Sequence, residues 1–200
     1  MLVLSLAQFL IALDYSIIYI ALPSLATDLD IEESVAQWVV SAYAVMFAGF
    51  LVVGGRLCDL VGPRRLFVVA VLAFGVASAV GGAASGWTLL LIARGAQGLS
   101  AAILQPAVLG LIGWTFPAGA SRNRALAAWG AVGASGLAAG VILGGLLTTV
   151  SWRLTFYINV PLTLAACLGA LLWVPAERGR GDGARLPLVA SLLGTSAVLT

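Results

Sequence analysis

Two side chains in this sequence stand where ionisable groups are costly. Asp14 lies inside the apolar run from Leu2 to Leu22, and Arg94 lies inside the run from Thr88 to Phe116. On insertion scales each costs about 2.5 to 3.5 kcal/mol at a helix centre in a bilayer, so each must face a partner or a wet cavity. Asp14 precedes Pro23, near the outer end of its run, by roughly 13 Å of helix, and Arg94 lies roughly 10 Å into a run of opposite direction. The two can therefore meet at one level. A carboxylate and a guanidinium so placed can handle a proton or cation; a pair that only locks the helices together is the plainer alternative. Gln97 and Gln105 follow Arg94 near whole helical turns and, with Ala101, form one stripe of polar character. That stripe is expected to line a water-accessible cavity, the alternative being Gln residues that merely tie helices together.

Other chemistry is closed by absence. The sequence has no His and no Lys, so a Ser-His or Cys-His nucleophile, a His-bound metal and a P-loop lysine are excluded within it. Cys58 and Cys167 lie in different segments without metal spacing, and no disulfide, metal site or cofactor is expected. Gly133-Ala134-Ser135-Gly136 looks like the serine motif of an intramembrane protease, but no base is present to activate Ser135.

The elements that must position these groups are membrane spans. Of 200 residues, 62% are apolar and 9% charged, with mean hydropathy +1.10; a soluble domain carries about 25% charge. Apolar runs long enough to cross a bilayer fall at about Leu2 to Leu22, Val35 to Gly54, Leu66 to Gly82, Thr88 to Phe116, Ala127 to Val150 and Phe156 to Val174. The fold class is an all-α membrane protein. Residues 1–174 form a six-span unit, residues 175–185 a cytoplasmic linker, and residues 186–200 the start of a further span.

Arginines orient it. With a cytoplasmic N-terminus, Arg56, Arg64, Arg65, Arg122, Arg124, Arg178, Arg180 and Arg185 lie inside and Arg153 alone outside. Trp38, Trp87 and Trp152 then fall at the outer interface as belt residues. The inner stretch Gly55 to Arg65 reads as a tight turn, built on Gly55, Gly62 and Pro63, in which Asp59 accepts from a neighbouring Arg or a helix start. In the fifth run Gly130, Gly133, Gly136, Gly140 and Gly144, with Gly145 beside the last, mark a flank on which another helix can approach closely and slide.

Together these strings resemble the major facilitator superfamily, and within it the 14-span drug:proton antiporter branch. Leu13-Asp14-Tyr15-Ser16 through Ala21-Leu22-Pro23 is similar to that branch's first-span motif, and Gly55 to Arg65 to the superfamily's loop motif. Arg94-Gly95-Ala96-Gln97-Gly98 is similar to the fourth-span arginine motif, and Gly136 to Gly145 to the antiporter motif. Trp152-Arg153 with Phe156, Asn159, Val160 and Pro161 resembles a further stretch typical of the branch. The resemblance implies the N-terminal six-helix half, two three-helix repeats, of a major-facilitator-type bundle rocking against a second half. It implies Asp14, Arg94 and Gln97 as the coupling site, and Tyr15, Tyr19 and Gln105 as cavity-lining residues. Gly55, Asp59, Gly62, Arg64 and Arg65 become the inner gate, and Gly136, Gly140, Gly144 and Gly145 the flexible seam. The expected function is proton-coupled export of amphipathic drug-like or secondary-metabolite compounds across the cell membrane, with protons, a small-molecule substrate, lipid and the C-terminal half as partners and no nucleic acid. A non-transporting sensor or structural half is the alternative, separated from the first by whether the reading frame continues past Thr200 into further spans.

Overall fold

The computed structural model describes residues 1–174. The linker at 175–185 and the apolar run at 186–200 lie outside the described residues. Eight helices follow in order: α1 Leu2–Asp28, α2 Glu33–Ala36, α3 Trp38–Val61, α4 Pro63–Gly82, α5 Trp87–Thr115, α6 Ala120–Thr148, α7 Leu154–Tyr157 and α8 Asn159–Trp173. Six crossings result, with α7 and α8 together making the last. Ile158 between those two keeps helical dihedrals, so the path does not bend away there.

Hydrophobicity cannot drive helix against helix in lipid, so close contact through small residues must. Glycines mark each such contact. A Cβ at Gly98 would strike the Tyr43 carbonyl and one at Gly54 the Ala102 carbonyl, which brings α3 and α5 backbone to backbone. At Gly75 it would strike Thr163, at Gly81 the Phe156 ring and at Gly82 the Tyr157 ring, so α4 lies tight on α7 and α8. On α6, Gly136 meets Phe9 and Ala12, Gly140 meets Ser16 and Leu13, and Gly144 meets Ile17 and Ile20.

The glycine flank of α6 thus faces α1 of the same unit. Ser16 crosses it, donating through Oγ to the Leu137 carbonyl at 2.9 Å. Gly130 and Gly145 have open space at their Cβ positions, so Gly145 does not belong to this seam. The spacing from Gly144 shows why: a neighbour in sequence is turned about 100° around the helix.

The inner stretch Gly55 to Arg65 is helical rather than a turn. α3 runs on to Val61, α4 begins at Pro63, and Gly62 alone makes the reversal, at φ 91°. That φ suits glycine, and Pro63 suits the first position of a helix because its missing N–H had no partner there. Arg56 and Asp59 consequently stand on the last turns of α3.

At the other end, Trp152 is 2% exposed and is not a belt residue. Its Nε1 donates to Asp28 Oδ2 at 2.9 Å, and Arg153 Nη1 reaches the same oxygen at 2.6 Å while stacking on the Trp152 ring at 4.4 Å. Arg153 Nη2 also reaches the Ala84 carbonyl at 3.3 Å, so one guanidinium joins the α1 end, the α4–α5 connection and the α6–α7 connection. Asp28 is the last residue of α1 and is exposed.

Packing is uneven. Within the apolar stretch of α1 61% of residues are buried, but in α3 and in α6 only 22%. Two apolar clusters fill the interior. One lies around Leu10, Phe67, Phe74, Leu104 and Leu111; the other lies toward the opposite end of the bundle, around Ile18, Leu25, Leu90, Trp152 and Phe156.

Candidate functional site

Between those clusters sits a polar layer. Asp14 from α1, Ser78 from α4, Arg94 and Gln97 from α5 and Asn159 from α8 are each at most 2% exposed. Arg94 Nη1 donates to Asp14 Oδ2 at 2.8 Å, so the two groups do share one depth. Gln97 Nε2 at 3.0 Å and Asn159 Nδ2 at 2.8 Å both donate to Asp14 Oδ1. The carboxylate therefore has three donors and both its oxygens engaged.

The donors are themselves held. Arg94 Nε donates to the Val39 carbonyl at 3.1 Å, Nη1 also donates to Gln97 Oε1 at 3.0 Å, and the guanidinium lies 4.5 Å from the centre of the Tyr43 ring. The Gly98 contact one turn along α5 is what brings α3 close enough for this. Ser78 Oγ accepts from Gln97 Nε2 at 2.6 Å and from Asn159 Nδ2 at 3.3 Å. Gly75 and Gly82, one turn either side of Ser78 on α4, let that short side chain reach the carboxylate's neighbours.

Replacing Ser78 by Ala removes the hydroxyl with little change in volume and strands one N–H of each amide. The expected result is a loss of about 1 to 3 kcal/mol, read as a lower unfolding temperature in detergent.

The stripe Arg94, Gln97 and Ala101 faces the protein interior, each at most 1% exposed, and does not line an open cavity as its polarity suggested. Gln105 stands apart from the network, partly buried, with its Oε1 buried and unpaired among the described residues. Tyr15 and Tyr19 are 41% and 46% exposed on α1. Tyr19 Oη donates to Tyr15 Oη at 3.2 Å, and an aromatic row continues from Tyr15 to Tyr43, 6.3 Å between ring centres.

Among the described residues, Gly55 to Arg65 form no ion pair with one another. Asp59 is exposed and makes no hydrogen bond or ion pair with the described residues, while Arg64 Nη2 donates to the Leu171 carbonyl at the end of α8, 3.1 Å away. Gly55, Asp59, Pro106 and Gly110 line a cavity of about 400 Å³ between the C-terminal parts of α3 and α5. Ser135 is exposed and donates to the Val132 carbonyl of its own helix.

Sequence reasoning missed Ser78 and Tyr43, and named Asn159 only as part of a longer string. A face of α4 with small residues at Gly75, Ser78 and Gly82 was the signal for Ser78. Asn159, an uncharged amide inside the last span, was the signal for its own role.

Sequence comparison agrees with this architecture. The family model described as Major Facilitator Superfamily matches residues 4–198. The chain belongs to the Major Facilitator Superfamily. It is 43% identical over 194 residues to the puromycin resistance protein of Streptomyces alboniger, which covers 96% of this chain and 38% of that protein. It is 38% identical over 194 residues to the cephamycin export protein of Amycolatopsis lactamdurans, covering 96% of this chain and 40% of that protein. To the tetracenomycin C resistance and export protein of Streptomyces glaucescens it is 39% identical over 164 residues, 82% of this chain and 30% of that one. The chain thus spans between 30% and 40% of these relatives. A crystal structure of a peptide transporter in complex with alafosfalin shares the superfamily fold, with TM-score 0.69 at 18% identity over 85% of this chain and 37% of that one. Drug and antibiotic export names among the relatives accord with the antiporter branch of the superfamily, and the chain is a multi-pass membrane protein of a transporter family rather than an enzyme.

Proposed function

We propose that residues 1–174 are the N-terminal half of a proton-driven exporter of amphipathic, drug-like compounds, and that Asp14 is its coupling carboxylate. The observation that supports this most is the buried Asp14–Arg94 pair, 2.8 Å apart and wrapped by Gln97 and Asn159 at the mid-depth of the bundle. Ionisable groups inside a membrane are expensive and mark ion pathways. When the site opens, a proton entering from outside neutralises Asp14, and the inner phase or substrate removes it again; binding of one species disfavours the other.

The remaining assignments follow that reading. The weakly packed faces of α3 and α6 receive the second half of the transporter. Tyr15 and Tyr19, exposed beside the coupling site, together with Gln105, line the passage between the halves. Asp59, without a partner among the described residues at the mouth of the cavity between α3 and α5, belongs with Gly55, Gly62, Arg64 and Arg65 to the inner gate. The N-terminus is cytoplasmic, supported by the arginines at inner helix ends. Gly136, Gly140 and Gly144 hold α6 on α1 so that the two move as one body.

The relatives named for resistance to or export of puromycin, cephamycin and tetracenomycin C support a secondary-metabolite substrate. The experiment is efflux of a panel of dyes and antibiotics from cells expressing the intact transporter. Accumulation of at least one compound is expected to fall several-fold below that of cells lacking the protein, and to return to their level when the proton gradient is collapsed. Efflux that survives the collapse would remove proton coupling from the assignment.

A further inference from the structure

Every donor around Asp14 except one is held at both ends. Arg94 is fixed by the Val39 carbonyl, Gln97 Oε1 and the Tyr43 ring. Gln97 uses Oε1 on Arg94 and Nε2 on Asp14 and Ser78, so turning its amide would set oxygen against carboxylate and lose the guanidinium. Asn159 differs. Its Nδ2 serves Asp14 and Ser78, but its Oδ1 is buried and has no partner among the described residues, on a residue with no exposed surface.

An unpaired buried carbonyl costs free energy and so asks what it is for. Beside a carboxylate that takes up a proton, the answer is an acceptor. The ionised Asp14 needs donors and the neutral acid needs an acceptor for its new O–H. Rotation of the Asn159 amide about its terminal bond exchanges Nδ2 and Oδ1 and supplies either. The Ser78 hydroxyl, free to rotate, accepts from Nδ2 in one position and donates to Oδ1 in the other. One end of the amide lacks a partner in both positions, so that cost does not bias the exchange.

We infer that Asn159 is a positioning residue that follows the protonation of Asp14, presenting its amide N–H groups to the carboxylate and turning over to present Oδ1 to the carboxylic acid. This rests on Asp14 being the group that gains and loses a proton. No covalent step is involved: the proton arrives on an Asp14 oxygen and leaves from it. The charged or titratable groups facing Asp14 are Arg94 from α5 and Tyr43 from α3. Packed against it, α4 contributes Ser78, α8 contributes Asn159 and α6 its glycine flank, none of them titratable.

The test is a pH titration of the intact transporter by infrared difference spectroscopy, which needs no substrate. In the spectrum of wild type less that of Asp14→Asn, which cancels the other carboxyl groups, a protonated carboxyl band is expected to appear at low pH, accompanied by a change in an isotopically labelled asparagine amide carbonyl band. In Asn159→Leu the carboxyl band is expected at higher frequency, because its O–H has lost an acceptor. Its midpoint is expected about 0.5 to 1 pH unit higher, three- to tenfold in proton affinity, because a hydrogen bond to the charged form is worth more than one to the neutral form. A side chain that only fills space would leave frequency and midpoint where they are in wild type. An unchanged band and midpoint in Asn159→Leu, or wild-type protonation without any asparagine amide change, overturns the inference alone. Identical carboxyl bands in wild type and Asp14→Asn, with nothing left in their difference, overturn the underlying assignment of Asp14. The amide readout is taken on wild type, so the inference stays open to refutation even if the Leu variant is recovered unfolded.

Discussion

Asp14→Asn in the intact transporter, reconstituted in vesicles, is expected to reduce pH-gradient-driven transport to the level of empty vesicles while leaving membrane insertion in place. The substitution keeps the shape of the side chain and one oxygen acceptor but cannot cycle a proton. Arg94 would lose its counter-charge, yet it retains the Val39 carbonyl, Gln97 Oε1 and the face of the Tyr43 ring. Those contacts are why the variant should insert and bind, though with lower stability. Transport by Asp14→Asn at the wild-type rate, still driven by the gradient, would remove Asp14 from the coupling role.

The second large effect separates coupling from mere locking. Arg94→Met removes one partner of a buried pair and leaves Asp14 charged inside the bundle, with a cost of about 3 to 5 kcal/mol. Removing both charges in Asp14→Asn/Arg94→Met leaves no uncompensated charge, and the Asn side chain still offers an oxygen to Gln97 and Asn159. Replacing a buried pair by neutral groups is often neutral or stabilising by about 1 to 4 kcal/mol. The unfolding temperature is therefore expected to drop in the single Arg94 variant and recover in the double, whereas gradient-driven transport is absent from both. A pair that served only to lock the helices would give transport that recovers together with stability.

Much of this arrangement was legible before any coordinates. Asp14 and Arg94 were readable because a charge in an apolar run has few explanations, and counting helical rise from each run's outer end placed them at one depth. Six spans were readable from hydropathy alone. What the residues could not say was which way the polar stripe of α5 faces. Periodicity identifies a face but not its neighbour, and here the neighbours are Asp14, Ser78 and Asn159 rather than water.

The Gly55 to Arg65 stretch failed for a related reason. Two glycines and a proline there suggest a turn over several residues, but Gly62 at positive φ followed by Pro63 reverses the chain alone. Trp152 was read as an interface anchor from its position beside a loop, whereas the Asp28 carboxylate and the Arg153 guanidinium give its indole a buried partner. Gly145 was grouped with Gly144 by sequence adjacency, which on a helix places residues on different sides.

The most direct measurement is proton release from the purified intact transporter in weakly buffered solution, followed with an indicator dye while a compound identified by the efflux panel is added. Wild type should release protons on binding, and Asp14→Asn, binding the same compound, should release none. Equal release from both proteins would contradict the claim that Asp14 carries the coupled proton.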